Sequence, residues 1–276
     1  MNPLVAWVKA REELRKNREL GLPPPWTADP ILAAYRFCQA YRELDKVTRW
    51  IATHWRTPFK DDPDLWVAMT VARHVNHIET MGQLGYPVPW NGAKFVKLMQ
   101  RRKGQGLTSY NGAYMIRAGR SADKASYLAE AVFKPLWKAR KQLRPVVGDT
   151  LDGFHQRLLA QFGLGSFLAA QIVADMKYVE PLKSASDWWE FAASGPGSRR
   201  GLNRLLGREV DAPWKEQDWR EALAKVRVEI KPQFEELGLE WSHAQDHQNN
   251  LCEFSKYEKA RLGEGRPKQR YRVSVL

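Results

Sequence analysis

Hydrophobic positions recur along this chain at intervals of three to five residues, the spacing that gathers them on one side of an α-helix. The pattern is clearest between Leu158 and Tyr178. Leu158, Leu159 and Phe162 make one short apolar run, and Phe167, Leu168, Ile172, Val173 and Met176 make a second. Between them stands Gly163-Leu164-Gly165, a tight turn in which glycine permits positive φ and close approach of another backbone. Helix, Gly-x-Gly, helix is the layout of a helix-hairpin-helix. Its second helix opens with several unpaired N–H groups, a ready site for a phosphate. An ordinary αα-hairpin with a glycine turn has the same pattern, and periodicity alone does not separate the two.

The same periodicity predicts the rest of the chain. A basic helix is expected over residues 1–20, ended by Pro23-Pro24-Pro25. A long helix is expected from Pro30 to about Arg56, with Phe37, Tyr41, Leu44, Val47 and Ile51 as its apolar stripe. Further helices are expected over about Asp64–Leu84, from Asn91 to Gln100, from Ser121 to Pro135, and from Asp187 to Ser194. The last are expected over Glu216–Ile230, Pro232–Leu237 and about His243–Arg261. Strand-like alternation is nearly absent, so the expected fold class is all-α: helical bundles around the hairpin. The expected organisation is an N-terminal helix and proline link (1–29), a helical catalytic domain (30–262) and a basic tail (263–276).

Charge narrows the partners. The chain has 276 residues, a formal net charge of +13 and 43% hydrophobic residues, so it can bury a real core while attracting polyanions. Nucleic acid is the commonest polyanion, and an anionic membrane surface is the rival. No apolar run reaches the length of a spanning helix, and the N-terminus lacks a signal-peptide core; a soluble, cytoplasmic protein is expected, with no membrane partner. Cys38 and Cys252 suit a reducing compartment and are too few for a thiolate metal site. His74 and His77 have no accompanying carboxylate or cysteine cluster. No metal and no cofactor are therefore expected. The sequence has no Walker loop, no Gly-x-Gly-x-x-Gly dinucleotide motif and no serine nucleophile elbow.

Several groups are candidates for chemistry. On the expected long helix, Arg42, Asp45 and Arg49 fall at i, i+3 and i+7 on one face, with Glu43 in the adjacent row. They make either a solvated ion-pair row or part of a cleft. Gly195-Pro196-Gly197-Ser198-Arg199-Arg200-Gly201 is a second turn running into a helix, with Gly195, Gly197, Arg199 and Arg200 placed to hold a phosphate, as Gly163, Gly165 and Ser166 are at the first. An ordinary helix connection is the alternative. In the basic, glycine-rich stretch 101–120, Tyr110 and Tyr114 are candidates to stack on bases, as is Trp188; a solvated loop with packed tyrosines is the alternative for that stretch. On the last helix Asp246, His247, Asn250 and Glu253 lie near one another on a polar side.

Four segments, FCQAYRELDKVTRWI (37–51), FGLGSFLAAQIVADMKY (162–178), SGPGSRRGLNRLLG (194–207) and DHQNNLCEFSKYEKARLGEGRPKQRY (246–271), together resemble a phage family that hypermodifies thymine in DNA. It is the family of α-glutamyl/putrescinyl-thymine pyrophosphorylases, or amino acid:DNA transferases; related helical domains accompany phage kinases that phosphorylate 5-hydroxymethyluracil in DNA. The resemblance implies an all-α fold similar to helix-hairpin-helix DNA glycosylases. It implies double-stranded DNA carrying modified thymine as substrate and an amino acid or polyamine as co-substrate, in the host cytoplasm. An amine would replace the (pyro)phosphate of a phosphorylated 5-hydroxymethyluracil. The family patterns match at Arg42, Glu43, Asp45, Glu253, Lys256 and Tyr257, with Lys256 a further candidate to hold a DNA phosphate, whereas Ser255 stands where the family often carries Asp. Such a reaction needs cations for the departing phosphate, here Arg42 and Arg49 with Arg199 and Arg200 as second choices. It needs a base for the amine, here Asp45, Glu43 or Glu253. The target base must also leave the stack. A glycosylase or lyase is the first alternative. Phe167, however, occupies the position of that superfamily's lysine, and the nearest acids are Asp175, inside the helix, and Asp187, slightly late. A non-catalytic DNA-binding accessory is the second alternative.

Overall fold

The computed structural model describes residues 1–111 and 123–271; Tyr114 and the helix start expected at Ser121 lie outside them. The helices, in order, are α1 (Pro3–Glu19), α2 (Pro30–Ala34), α3 (Lys46–Ile51), α4 (Leu65–Val75), α5 (Ile78–Leu84), α6 (Gly92–Gly104) and α7 (Lys124–Tyr127). They continue with α8 (Lys134–Lys138), α9 (Arg140–Leu143), α10 (Leu151–Leu159), α11 (Ser166–Met176), α12 (Pro196–Leu205), α13 (Glu216–Glu236) and α14 (Ala244–Arg261). Among the described residues there is no strand, only an isolated bridge between Tyr35 and Arg270, so the chain is all-α.

The chain forms two compact units, residues 1–45 with 189–276, and residues 46–188. In the first unit α1 is part of the core: Leu4, Trp7, Val8 and Leu14 pack in one cluster with Trp219, Ile230, Leu251 and Phe254. Helix α13 runs unbroken through Pro232, where two helices were expected. The carbonyl that Pro232 leaves without its helical donor belongs to Val228, a residue 75% exposed on the solvent side of the helix.

Helices α12 and α14 approach closely because Gly197 and Gly201, four residues apart, present no side chain. A Cβ at Gly201 would stand 2.6 Å from the Leu251 carbonyl carbon, and one at Gly197 would meet the Cys252 thiol and lie 3.3 Å from its Cβ. Spacing of this kind lets two helix backbones touch.

The expected long helix from Pro30 to Arg56 does not form. It stops at Ala34, and the chain runs through non-helical backbone to a 3-10 turn at Arg42–Leu44 before α3 begins. Side chains supply the reason. Glu253 accepts the Cys38 N–H (2.8 Å), Asp45 the Gln39 N–H (3.0 Å) and Asp246 the Arg42 N–H (3.0 Å). Arg11 donates to the carbonyls of Cys38 (3.1 Å) and Phe37 (3.3 Å). Backbone groups that a helix would have paired internally are thus bonded from outside, and helical propensity loses.

In the second unit every residue of α4 is buried, so the unit is built around a helix that is enclosed on all sides. Asn76, in the left-handed conformation, ends α4, and α5 follows as a separate helix where a single one was expected. Helix α11 packs on α4 through Arg73 and Asp175. The guanidinium Nε donates to Asp175 at 2.5 Å, Nη2 donates to its other oxygen, and Nη2 also reaches Thr48 at 3.2 Å. The short helix expected from Asp187 to Ser194 is absent; the region is turns. Asp187 instead caps α10, accepting from the Leu151 N–H (2.7 Å) and the Asp152 N–H (2.9 Å).

Candidate functional site

The glycine turn of the second unit has helices on both sides, α10 and α11. Gly163 takes φ +83°, and a Cβ there would strike the Val132 side chain at 2.7 Å, so both conformation and packing demand glycine. Leu164 is buried and pins the turn. Gly165 is different. It has no positive φ, and a Cβ there would meet nothing within 4 Å. Among the described residues nothing therefore requires glycine at 165. Gly165 is the N-cap of α11 and supplies no side-chain cap, and Ser166 beside it is exposed. The Ser166 carbonyl lies 3.3 Å from Nε2 of the buried His155. The unit that carries this turn holds 21 Lys and Arg against 11 Asp and Glu, a formal +10 of the chain's +13.

The acids weighed for a glycosylase are both engaged in the fold. Asp175 is buried in the ion pair with Arg73, and Asp187 caps α10. Phe167, at the lysine position, is 55% exposed.

Two of the expected stacking residues, Tyr110 and Trp188, are held by cations. Lys124 Nζ lies 4.0 Å from the Tyr110 ring centre, and burial pushes the Tyr110 hydroxyl pKa upward. Trp188 is locked to Lys177: its indole N–H donates to the Lys177 carbonyl (2.7 Å), while the buried Lys177 ammonium donates to the Trp188 carbonyl (2.6 Å) and sits over the ring.

The first unit gathers most of the candidate acids and bases. Asp246, Asn250 and Glu253 are spaced i, i+4 and i+7 on α14 and share one face. That face is buried: Asn250 is fully enclosed, Asp246 and Glu253 nearly so. It abuts the non-helical segment around Cys38 and Arg42 through the carboxylate bonds described above. Lys256 donates to Glu253 (2.6 Å) and to the Arg36 carbonyl (3.3 Å), and lies over the Phe37 ring. Arg42 is buried, and Glu43 is half-buried in the same 3-10 turn. The Asp45 pKa is raised from its ordinary 3.8 to about 6. Desolvation by burial is the main cause and the Glu253 carboxylate adds to it, while the Gln39 N–H, Arg42 and Arg11 oppose it. The thiol pKa of Cys38 is also pushed well up, chiefly by burial and then by Glu253 and Asp45. Such a thiol is a poor nucleophile.

Arg49 does not share a helix face with Arg42 and Asp45. It is exposed on α3, in the second unit, because the long helix that would have aligned the three is interrupted. At the second glycine turn, Arg199 donates to Ser194 Oγ (2.7 Å) and to Glu216 (3.1 Å), and Arg200 donates to Asp211 (2.7 Å). The Gly195 N–H is taken by Ser198 Oγ (3.0 Å). Glu216 accepts the Ser194 N–H as well (2.8 Å), so a carboxylate of the chain already stands beside this helix start. Gly197 serves the α12–α14 packing. Sequence reasoning missed the burial of the Asp246/Asn250/Glu253 face, the Lys177–Trp188 lock and the Arg73–Asp175 pair. The first had a signal in the i, i+4, i+7 spacing; the other two join residues with no local pattern.

Among the described residues no helix is long and apolar enough to cross a membrane, and no three His, Cys, Asp or Glu residues come together as metal ligands.

A family model described as "5-hmdU DNA kinase, helical domain" matches residues 1–266. A 5-hmdU DNA kinase of Bacillus phage SP10 is 22% identical over 274 residues, which cover 86% of this chain and 41% of the phage protein. The chain thus spans about two-fifths of that relative's length. No solved structure matches.

Proposed function

Because this chain belongs to the 5-hmdU DNA kinase helical-domain family, we propose that it acts on DNA carrying 5-hydroxymethyluracil, and that its step is the transfer of an amine onto the phosphorylated base. The amine nitrogen bonds to the 5-methylene carbon as the carbon–oxygen bond to phosphate or pyrophosphate breaks. The leaving group keeps the electron pair, and the nitrogen gives up a proton. The chain has no Gly-x-x-x-x-Gly-Lys-Ser/Thr loop, so the phosphorylation itself is not proposed for it.

The observation that carries the reading is Asp45. A half-buried carboxyl with its pKa raised to about 6, on which the charges of Arg42 and Glu253 act in opposite senses, is suited to take a proton near neutral pH. Arg42 is the candidate for the leaving anion, since its forked guanidinium matches two phosphate oxygens. Glu43 and Glu253 are the further candidate bases, and Lys256 holds Glu253 in place. DNA is held by charge, mostly that of the second unit, with the Gly163–Ser166 turn and exposed cations such as Arg49 against the phosphates. Arg199 and Arg200 reach a phosphate only by exchanging their present carboxylate partners.

A second reading has its own support. Asp45, Asp246 and Glu253 each hold a backbone N–H, which is what a scaffold requires; on that reading the chain only presents DNA to a separate enzyme. One assay separates the two. Duplex DNA containing phosphorylated 5-hydroxymethyluracil is incubated with the protein and single amines, and its nucleosides are analysed by mass spectrometry. An amine adduct that Arg42→Lys abolishes, with DNA affinity kept within a few-fold, supports transfer. Binding with no adduct for any amine leaves the presenting role, and abasic sites would instead mean a glycosylase.

A further inference from the structure

The hairpin of the second unit exposes two aromatic rings, one on each side of its turn. Phe162, just before Gly163, is 68% exposed, and Phe167, the second residue of α11, is 55% exposed. Leu159 at the end of α10 is 38% exposed. Nearby apolar residues of the same hairpin, Leu158, Leu164 and Ile172, are buried. The phenylalanines are thus not a loosely packed core; they are apolar groups more than half exposed on a well-packed element. Water disfavours that arrangement unless something else covers the rings.

Their mount is rigid. Leu164 anchors the turn, Gly163 fits against Val132, and the Phe162 ring meets Tyr127 edge-on at 6.5 Å between centroids. Between the two phenylalanines stands Gly165, the glycine that neither conformation nor internal packing requires. Room is therefore kept outside the protein surface at this point.

The surrounding charge selects the occupant. A second copy of the chain would bring one +10 unit against another, whereas a polyanion is attracted. Among polyanions, duplex nucleic acid also offers apolar faces, those of its stacked bases. Proteins that bend or open duplexes insert Phe or Leu side chains between base pairs in this way.

We propose that Phe162 and Phe167 form an apolar wedge that enters the base stack of duplex DNA while the backbone passes the Gly163–Gly165 turn. This rests on the DNA reading above and adds to it how the duplex is opened so that a base can leave the stack.

The test uses the full chain and a duplex with 2-aminopurine at a central position, whose fluorescence rises when it is unstacked. Affinity is measured in parallel by anisotropy at two salt concentrations. Wild-type protein is expected to raise the fluorescence several-fold. Phe162→Ser/Phe167→Ser is expected to keep its circular dichroism spectrum and salt dependence, to lose most of the fluorescence rise, and to bind roughly tenfold more weakly. Salt-dependent binding by wild type with no fluorescence rise would overturn the wedge and leave the DNA reading intact, and this arm needs no variant. No binding by wild type at low salt would remove the DNA reading and the wedge together. A double variant equal to wild type in both readouts overturns the wedge. So does one that only turns a sedimenting dimer into a monomer.

Discussion

Replacing Gly201 by alanine puts a methyl group where the backbone of α14 already lies. The added carbon would stand 2.6 Å from the Leu251 carbonyl carbon and 3.1 Å from its Cα, with the carbonyl oxygen closer still. Carbon atoms in contact prefer about 3.5–4.0 Å, so the two helices must separate by roughly 1 Å. The obstacle is main chain in the middle of a helix, so no rotamer change relieves it. Overpacking of this kind costs about 1–3 kcal/mol, and a backbone obstacle places Gly201→Ala near 3. Higher helix propensity returns up to about 1 kcal/mol, which leaves a net loss of about 2–3 kcal/mol. Gly195→Ala is the control: φ is −135°, nothing lies within 4 Å, and no more than about 0.5 kcal/mol should change. Urea unfolding followed by circular dichroism measures both. A Gly201→Ala variant within about 0.5 kcal/mol of wild type would refute the close-packing account of this stretch.

Other consequences follow from single contacts. Asp175→Asn leaves the buried Arg73 charge without its counter-ion and should cost about 3–5 kcal/mol in urea unfolding, whereas Arg73→Met/Asp175→Leu should cost markedly less. The Asp45 carboxyl binds its proton more tightly in the folded than in the unfolded chain. It therefore lowers stability progressively as pH rises from about 4 to about 6, by at most about 3 kcal/mol, less whatever part exposure screens. Asp45→Asn keeps an acceptor for the Gln39 N–H and should gain on wild type over that window; parallel pH profiles would exclude the raised pKa. Gly165→Val should weaken DNA binding several-fold with little change in melting temperature, because the site is open; the reverse outcome would make the turn purely structural. Duplex affinity should fall steeply with salt, and equal affinities at two salt concentrations would remove nucleic acid as the partner.

What the sequence determined by itself was local or global in the simplest sense. Helical periodicity and the lack of alternation decided the all-α class, because burying one side of a segment needs only the order of its own residues. His243 before α14 and Asn91 before α6 were readable as helix starts for the same reason. Net charge survives any folding, so the pull toward polyanions was legible too. The polar row on the last helix was visible as a spacing, but not that Asp246 and Glu253 would be buried against a segment more than 200 residues away. That contact decided the largest difference. The apolar stripe from Phe37 to Ile51 has helical spacing, yet distant carboxylates and Arg11 bind its backbone groups, and the helix breaks. With it went the alignment of Arg42, Asp45 and Arg49. The two glycine turns were likewise alike as strings. Only tertiary structure separated Gly197 and Gly201, which let two helices touch, from Gly165, which faces open space. A glycine records that something comes close there; the fold alone says whether the neighbour belongs to the same chain.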